Sequence, residues 1–221
     1  MCEENNNKQK TFSSFKEIDE VCDIFGYMYE CDTFVQEKEY KMADNIESNI
    51  REDFAEMKNF ANEIAICECI IRPILADVAR ANKLPLFSHP KFDYDKSIGL
   101  TGVPDYLLAP TKSKGNKNFT SAVVCLGEAK KDDFVQGWAQ VSAEMIAAQK
   151  LNKNENIPIY GLVSTGELWK FGMLKNKTFT IDNNSQAAPA DLQKILNILN
   201  WMFCEARKNA DTLERLKNKI K

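Results

Sequence analysis

The sequence predicts an α/β fold: a mixed central sheet covered by helices, with an extra helix at the C-terminal end. Three observations predict it. Apolar residues recur at helical spacing over 49–82 and again over 191–219. Between these stretches lie short apolar runs bounded by turn residues, which read as strands. One of those runs, 121–129, is apolar on both faces, as a strand sandwiched between helices must be. The 221 residues suffice for one substantial core, with 44% hydrophobic residues and few glycines or prolines. The chain divides into a polar, Asn-rich tail over 1–12, expected to be disordered, and a single domain over 13–221.

The elements follow in order. An amphipathic stretch covers 18–28, and a charged, extended segment covers 33–41. One long helix is expected over 49–82, with Met57, Ala61, Ile64, Ile71, Leu75 and Val78 on its apolar face. Pro73 implies a kink or break near Ile71. Residues 85–100 predict a strand with a turn, 102–109 a second strand, and 121–129 a third. The Lys-, Ser-, Gly- and Asn-rich segment 111–118 is the hairpin loop before that third strand. Asp132 or Asp133 caps the helix that runs to about Leu151. Residues 157–163 and 167–174 form a hairpin around Ser164-Thr165-Gly166, and 177–181 adds an edge strand. The segment 191–219 closes the chain as one helix or two, with Leu192, Ile195, Leu196, Ile198, Leu199 and Met202 forming an apolar face suited to a homodimer.

Composition narrows the function. A net charge of −3 and a pI of about 5.4 give no global basic field for a polyanion, although a local groove remains compatible with them. Seven scattered cysteines without a Cys-x-x-Cys pair indicate a reduced intracellular protein, cytoplasmic, or nuclear in a eukaryote. The start carries no secretory h-region, and no apolar stretch is long enough to span a bilayer, so no membrane partner is expected. His89 is the single histidine, which leaves little for histidine triads, His-rich metal sites or two-histidine RNase chemistry.

The informative residues are acidic groups planted in apolar strands. Val103-Pro104-Asp105-Tyr106 opens the second strand, and Gly127-Glu128-Ala129-Lys130 ends the third. Residues i and i+2 of a strand face one side, so Glu128 and Lys130 project together. Buried charges are costly unless paired or used, and two converging carboxylates suit a hard cation. Glu-x-Lys alone is uninformative: Glu39-Tyr40-Lys41 and Glu56-Met57-Lys58 match it in charged, solvated surroundings.

Pro104-Asp105, 22 residues, then Glu128-Ala129-Lys130, placed in consecutive strands between helices, resembles the PD-(D/E)XK restriction-endonuclease-like superfamily. The similarity is greatest to the nuclease module that opens type I restriction motor subunits. It covers about 63–174: Asn62-Glu63 with Pro73-Ile74-Leu75, the strand signature Glu128-Ala129-Lys130-Lys131, Gln140 in Trp138-Ala139-Gln140, and the hairpin 161–171. The resemblance implies an α-β-β-β-α-β core and a Mg²⁺- or Mn²⁺-dependent deoxyribonuclease, with DNA, or alternatively RNA, as partner. It implies Asp105 and Glu128 as metal ligands with the backbone carbonyl of Ala129. Lys130 would orient the attacking water, with Glu63 and Gln140 completing the catalytic set. Helical geometry puts Glu68, rather than Glu63, at the centre of the apolar face, so the helix carboxylate stays open between the two.

The residues have simpler readings beside these. A structural Glu128–Lys130 pair with Asp105 capping a turn is one; Trp138 and Trp169 as core, rather than base-stacking, side chains is another. Lys112, Lys114, Lys117 and Lys131 are either phosphate contacts or a solvated surface. The competing function is a nuclease-fold protein without activity that binds nucleic acid or regulates.

Overall fold

The computed structural model describes residues 10–111, 118–119 and 122–219. Helix α1 (Ile18–Phe25) stops at Gly26, whose left-handed backbone (φ 71°) turns the chain into strand β1 (Met28–Asp32). An irregular segment over 33–43 leads to α2 (Asp44–Ala55) and a 3₁₀ turn (Met57–Phe60). Next comes a continuous helical run: α3 (Glu63–Ala65), a π-helical stretch (Ile66–Ile71) and α4 (Arg72–Ala81). Four short strands follow: β2 (Leu86–Ser88), β3 (Phe92–Asp95), β4 (Leu100–Gly102) and β5 (Tyr106–Leu108). Then come β6 (Cys125–Ala129), α5 (Phe134–Asn152), β7 (Ile159–Ser164), β8 (Leu168–Lys175), β9 (Thr178–Asp182), β10 (Gln186–Ala187) and α6 (Leu192–Lys219).

The main sheet runs β1-β9-β8-β7-β6-β5-β2, with β10 paired to the free end of β8. It is mixed. β5 is antiparallel to both β2 and β6, β7 is parallel to β6 across the α5 connection, and β8 is antiparallel to both β7 and β9. β1 then adds parallel to β9, while β3 and β4 form a separate ribbon.

Helices cover both faces. On one, the 63–81 run and α6 pack Ile70, Ile74, Leu75, Leu196 and Leu199 onto Cys125, Tyr160 and Trp169. On the other, α5 and α1 pack Val21, Ala143, Met145 and Ile146 onto Leu107, Leu126 and Val163. The chain is thus α/β with a mixed central sheet and an added C-terminal helix, as the pattern predicts.

Several expectations change. The long helix over 49–82 is three helices with a 3₁₀ turn and a π stretch between them, and Met57 and Ile64, placed on its apolar face, are 84% and 69% exposed. The π stretch explains the error. It advances by less per residue than the roughly 100° of an α-helix, so Ile64 before it is rotated away from Ile71, Leu75 and Val78, with which a wheel of 3.6 residues per turn aligns it, and Met57 lies in the separate 3₁₀ turn. Residues 10–12 belong to the fold rather than to a tail, because Phe12 is buried against Phe92. The 177–181 strand is not an edge, since β1 covers it. The six apolar residues of α6 assigned to a homodimer face are all buried within this chain's own core. No helix among the described residues is long and apolar enough to cross a membrane.

Candidate functional site

The β5–β6 register pairs Tyr106 with Gly127, so Asp105 and Glu128 sit opposite each other where the two strands separate. Each carboxylate accepts a backbone N–H beside the other: Asp105 N–H donates to Glu128 Oε1 at 3.2 Å, and Ala129 N–H donates to Asp105 Oδ2 at 2.8 Å. These crossed bonds lock both side chains against the strand ends. Lys130 continues the ladder by donating its N–H to Ser164 O, and its side chain folds back over the pair. Its Nζ lies 3.1 Å from Glu128 Oε2 and donates to the carbonyl of Ala129 at 2.9 Å. The Glu128 side chain has no exposed surface.

Helix α5 closes the site from above. Gly137 permits this approach: a Cβ there would meet Val163 Cγ1 at 2.6 Å and the Lys130 stem at 3.1 Å. Asp133 provides the N-cap through Gln136 N–H, which settles the choice between Asp132 and Asp133. One turn beyond Gln140 stands Glu144, fully buried and beside Glu128. Gln140 Nε2 reaches Glu144 Oε1 at 3.5 Å, so its amide holds that carboxyl. The sequence reading passed over Glu144. It carried a signal, however, as the only charged residue between Asp133 and Lys150 in a helix that is apolar nearly all round.

The electrostatics describe one cluster. Burial first, and the Asp105 charge second, push the Glu128 carboxyl up to about 7 despite the ammonium beside it. Burial and Glu128 hold Glu144 well above the ordinary carboxylate range. Burial alone would depress Lys130, but Glu128, Asp105 and Glu63 outweigh it and hold the ammonium above its usual value. Asp105, Glu128 and Glu144 thus cluster around one ammonium, and ionising all three would leave a net charge of −2 at a largely buried site. A proton kept on Glu144, donated to Glu128, is the cheaper arrangement.

The helical run contributes at the rim. Glu63 is exposed in the first turn after the Asn62 cap, yet its charge acts on Lys130 and Cys67; Glu68 is exposed and acts on Cys69 instead. Cys67, on the π stretch, faces Tyr106, whose hydroxyl donates to the Cys67 carbonyl at 2.9 Å. The lone histidine also belongs here: His89 Nε2 is 3.4 Å from Asp105 Oδ1. Trp138 and Trp169 are core residues, Trp169 donating its indole N–H to Gly166 O at 2.9 Å. Lys131 is exposed, and Lys112, Lys114 and Lys117 lie outside the described residues.

The donors suit a hard divalent cation. Glu128 Oε2 and the Ala129 carbonyl converge on one cationic centre, here the Lys130 ammonium, and Asp105 lies on the adjoining strand end. No protein-family model, curated protein or solved structure matches this chain.

Proposed function

We propose that this protein is a Mg²⁺- or Mn²⁺-dependent nuclease that hydrolyses phosphodiester bonds of DNA on a restriction-endonuclease-like core. The connectivity supports that core: the 63–81 helical run, then β2, β5 and β6 as an antiparallel set, α5 as crossover, and β7 parallel to β6, with the β3–β4 ribbon as an insertion. The observation that carries the activity is the constellation at one strand end, where buried Glu128 and the Ala129 carbonyl hold the Lys130 ammonium and Asp105, on the adjoining strand end, accepts the Ala129 N–H.

Asp105, Glu128 and the Ala129 carbonyl would hold the cation, which lowers the pKa of bound water and draws charge from a phosphoryl oxygen. Lys130 orients the attacking water and stabilises the charge that develops at phosphorus. Glu144, itself held by Gln140, fixes the Glu128 carboxylate and tempers its basicity. Glu63 adds negative charge at the rim. A protein that keeps the fold only to bind or regulate is the second reading, favoured by the net charge of −3 and by the complete enclosure of the Glu128 side chain.

Plasmid, linear DNA and RNA incubated with pure protein and Mg²⁺, Mn²⁺ or a chelator test the proposal. Cleavage of DNA should require the metal. Lys130→Ala should lower turnover by orders of magnitude while affinity for DNA changes little, as for an interaction made in the transition state. No metal-dependent cleavage of any of these by wild type, with Lys130→Ala weakening binding, would select the second reading.

A further inference from the structure

We infer that Cys67, His89 and Asp105 form a second metal site, for a borderline divalent transition metal of the zinc class. It is distinct in donor set from the hard-cation site proposed above and takes Asp105 through Oδ1. The Cys67 Sγ, an imidazole nitrogen of His89 and an Asp105 carboxylate oxygen lie within 4.8 Å of one another, the one such grouping of His, Cys and acidic side chains among the described residues.

The donor chemistry selects the metal. Thiolate, imidazole and carboxylate are the three ligand types of zinc, whereas a thiolate does not suit Mg²⁺. A tetrahedral centre with bonds of about 2.0–2.3 Å spaces its ligand atoms about 3.3–3.8 Å apart. The His89 Nε2 to Asp105 Oδ1 edge, at 3.4 Å, already has that length. Asp105 Oδ2 is engaged by Ala129 N–H, so Oδ1 is the oxygen turned towards this site.

Three separate elements deliver the ligands. Cys67 comes from the π stretch and is buried; His89 follows β2 with a left-handed backbone (φ 49°), its N–H donating to the Asp105 carbonyl at 2.9 Å. Tyr106 backs the site. Its buried hydroxyl donates to the Cys67 carbonyl and its ring stands 6.4 Å from the imidazole; burial first and the Asp105 charge second push the Cys67 thiol up to about 12, so a metal has to displace its proton. The His89 side chain is 52% exposed, so a metal can enter from solvent and keep a water as fourth ligand. On binding, the S–H bond of Cys67 breaks, its proton leaves to solvent, and the sulfur bonds the metal with no change of oxidation state.

Cobalt(II) reports this directly, without DNA and independently of cleavage. The full chain titrated anaerobically with Co²⁺ should saturate near one equivalent, with a thiolate-to-cobalt charge-transfer band and the visible bands of a tetrahedral centre. Zn²⁺ should bleach both. Cys67→Ser should lose the charge-transfer band. His89→Ala, a change at an exposed side chain that keeps the fold, should weaken Co²⁺ binding more than about tenfold. Cys31→Ser, Cys204→Ser and Glu128→Gln should retain the wild-type spectrum. Absence of the band in wild type overturns the inference. So does a band that survives in both Cys67→Ser and His89→Ala, or that disappears with Cys31 or Cys204. Failure of DNA cleavage leaves these spectra untouched, so the two proposals fall separately.

Discussion

At the scale of single residues, one ammonium is set against more carboxyls than it can balance, and protons make up the difference. Glu128 illustrates the consequence for pH. Its carboxyl titrates near 4.5 in an unfolded chain and is pushed up to about 7 here by burial and by Asp105. Between those values the folded state holds the extra proton, so its contribution to stability is full below about 4.5 and is lost as pH rises through about 7. Without divalent cations, the melting temperature should therefore be lower at about pH 8 than at about pH 5. Calorimetry on Glu128→Gln should show a flatter profile; an unchanged slope would place the titrating proton elsewhere. Glu144 gives a sharper test of who donates. If it stays protonated and donates to Glu128, Glu144→Gln preserves a donor in nearly the same shape and should melt close to wild type. Glu144→Ala removes that donor and should cost about 3 kcal/mol in urea unfolding. Equal losses in the two variants would contradict the protonated form.

Among the elements, helix α5 and the strands beneath it meet at glycines. In β8, a Cβ at Gly172 would stand 2.7 Å from Trp138 Cη2, and in β7 a Cβ at Gly161 would stand 2.6 Å from Met145 Sδ. The distances are alike but the neighbours are not. An indole ring in a packed core cannot retreat, whereas a methionine can change rotamer. Gly172→Ala should cost about 1–3 kcal/mol, and Gly161→Ala less, as measured by denaturant midpoints. The reverse order would mean that the Trp138 ring is not wedged as described. Elements that follow ordinary periodicity were readable in advance: α5, the β7–β8 hairpin and the apolar strand β6. The π stretch was not, because the i, i+1, i+4, i+5 spacing of its inward residues Ile66, Cys67, Ile70 and Ile71 is the same as that of an ordinary α-helix, and nothing in it marks the wider turn. β1 was missed for a different reason. It is exposed along its whole length, so no apolar alternation marks it, and its place comes from backbone pairing with β9.

For the whole molecule, α6 is a structural wall. Ile198 is fully buried in the core that joins it to the helical run and the sheet. Ile198→Ala should lower unfolding stability by about 2–4 kcal/mol while sedimentation shows an unchanged mass. A changed mass with unaltered stability would instead return that face to an interface between copies. The amphipathic pattern alone could not distinguish these outcomes, because an apolar stripe states that something covers it and not what. The same limit runs through the candidate site. Asp105, Glu128 and Lys130 were legible because they break the apolar text of two neighbouring strands, and a period of two puts Glu128 beside Lys130. The order of helices and strands, and hence the α/β class, was legible for the same reason: periodicity is local. Glu144, Cys67 and His89 became part of the site only when the chain closed on itself. They lie on a crossover helix, a π stretch and a connecting residue far apart in sequence, and their meeting at Asp105 depends on how the strands pair and how closely α5 settles over Gly137. Those are contacts between distant segments, set by packing rather than by the spacing of residues along the chain.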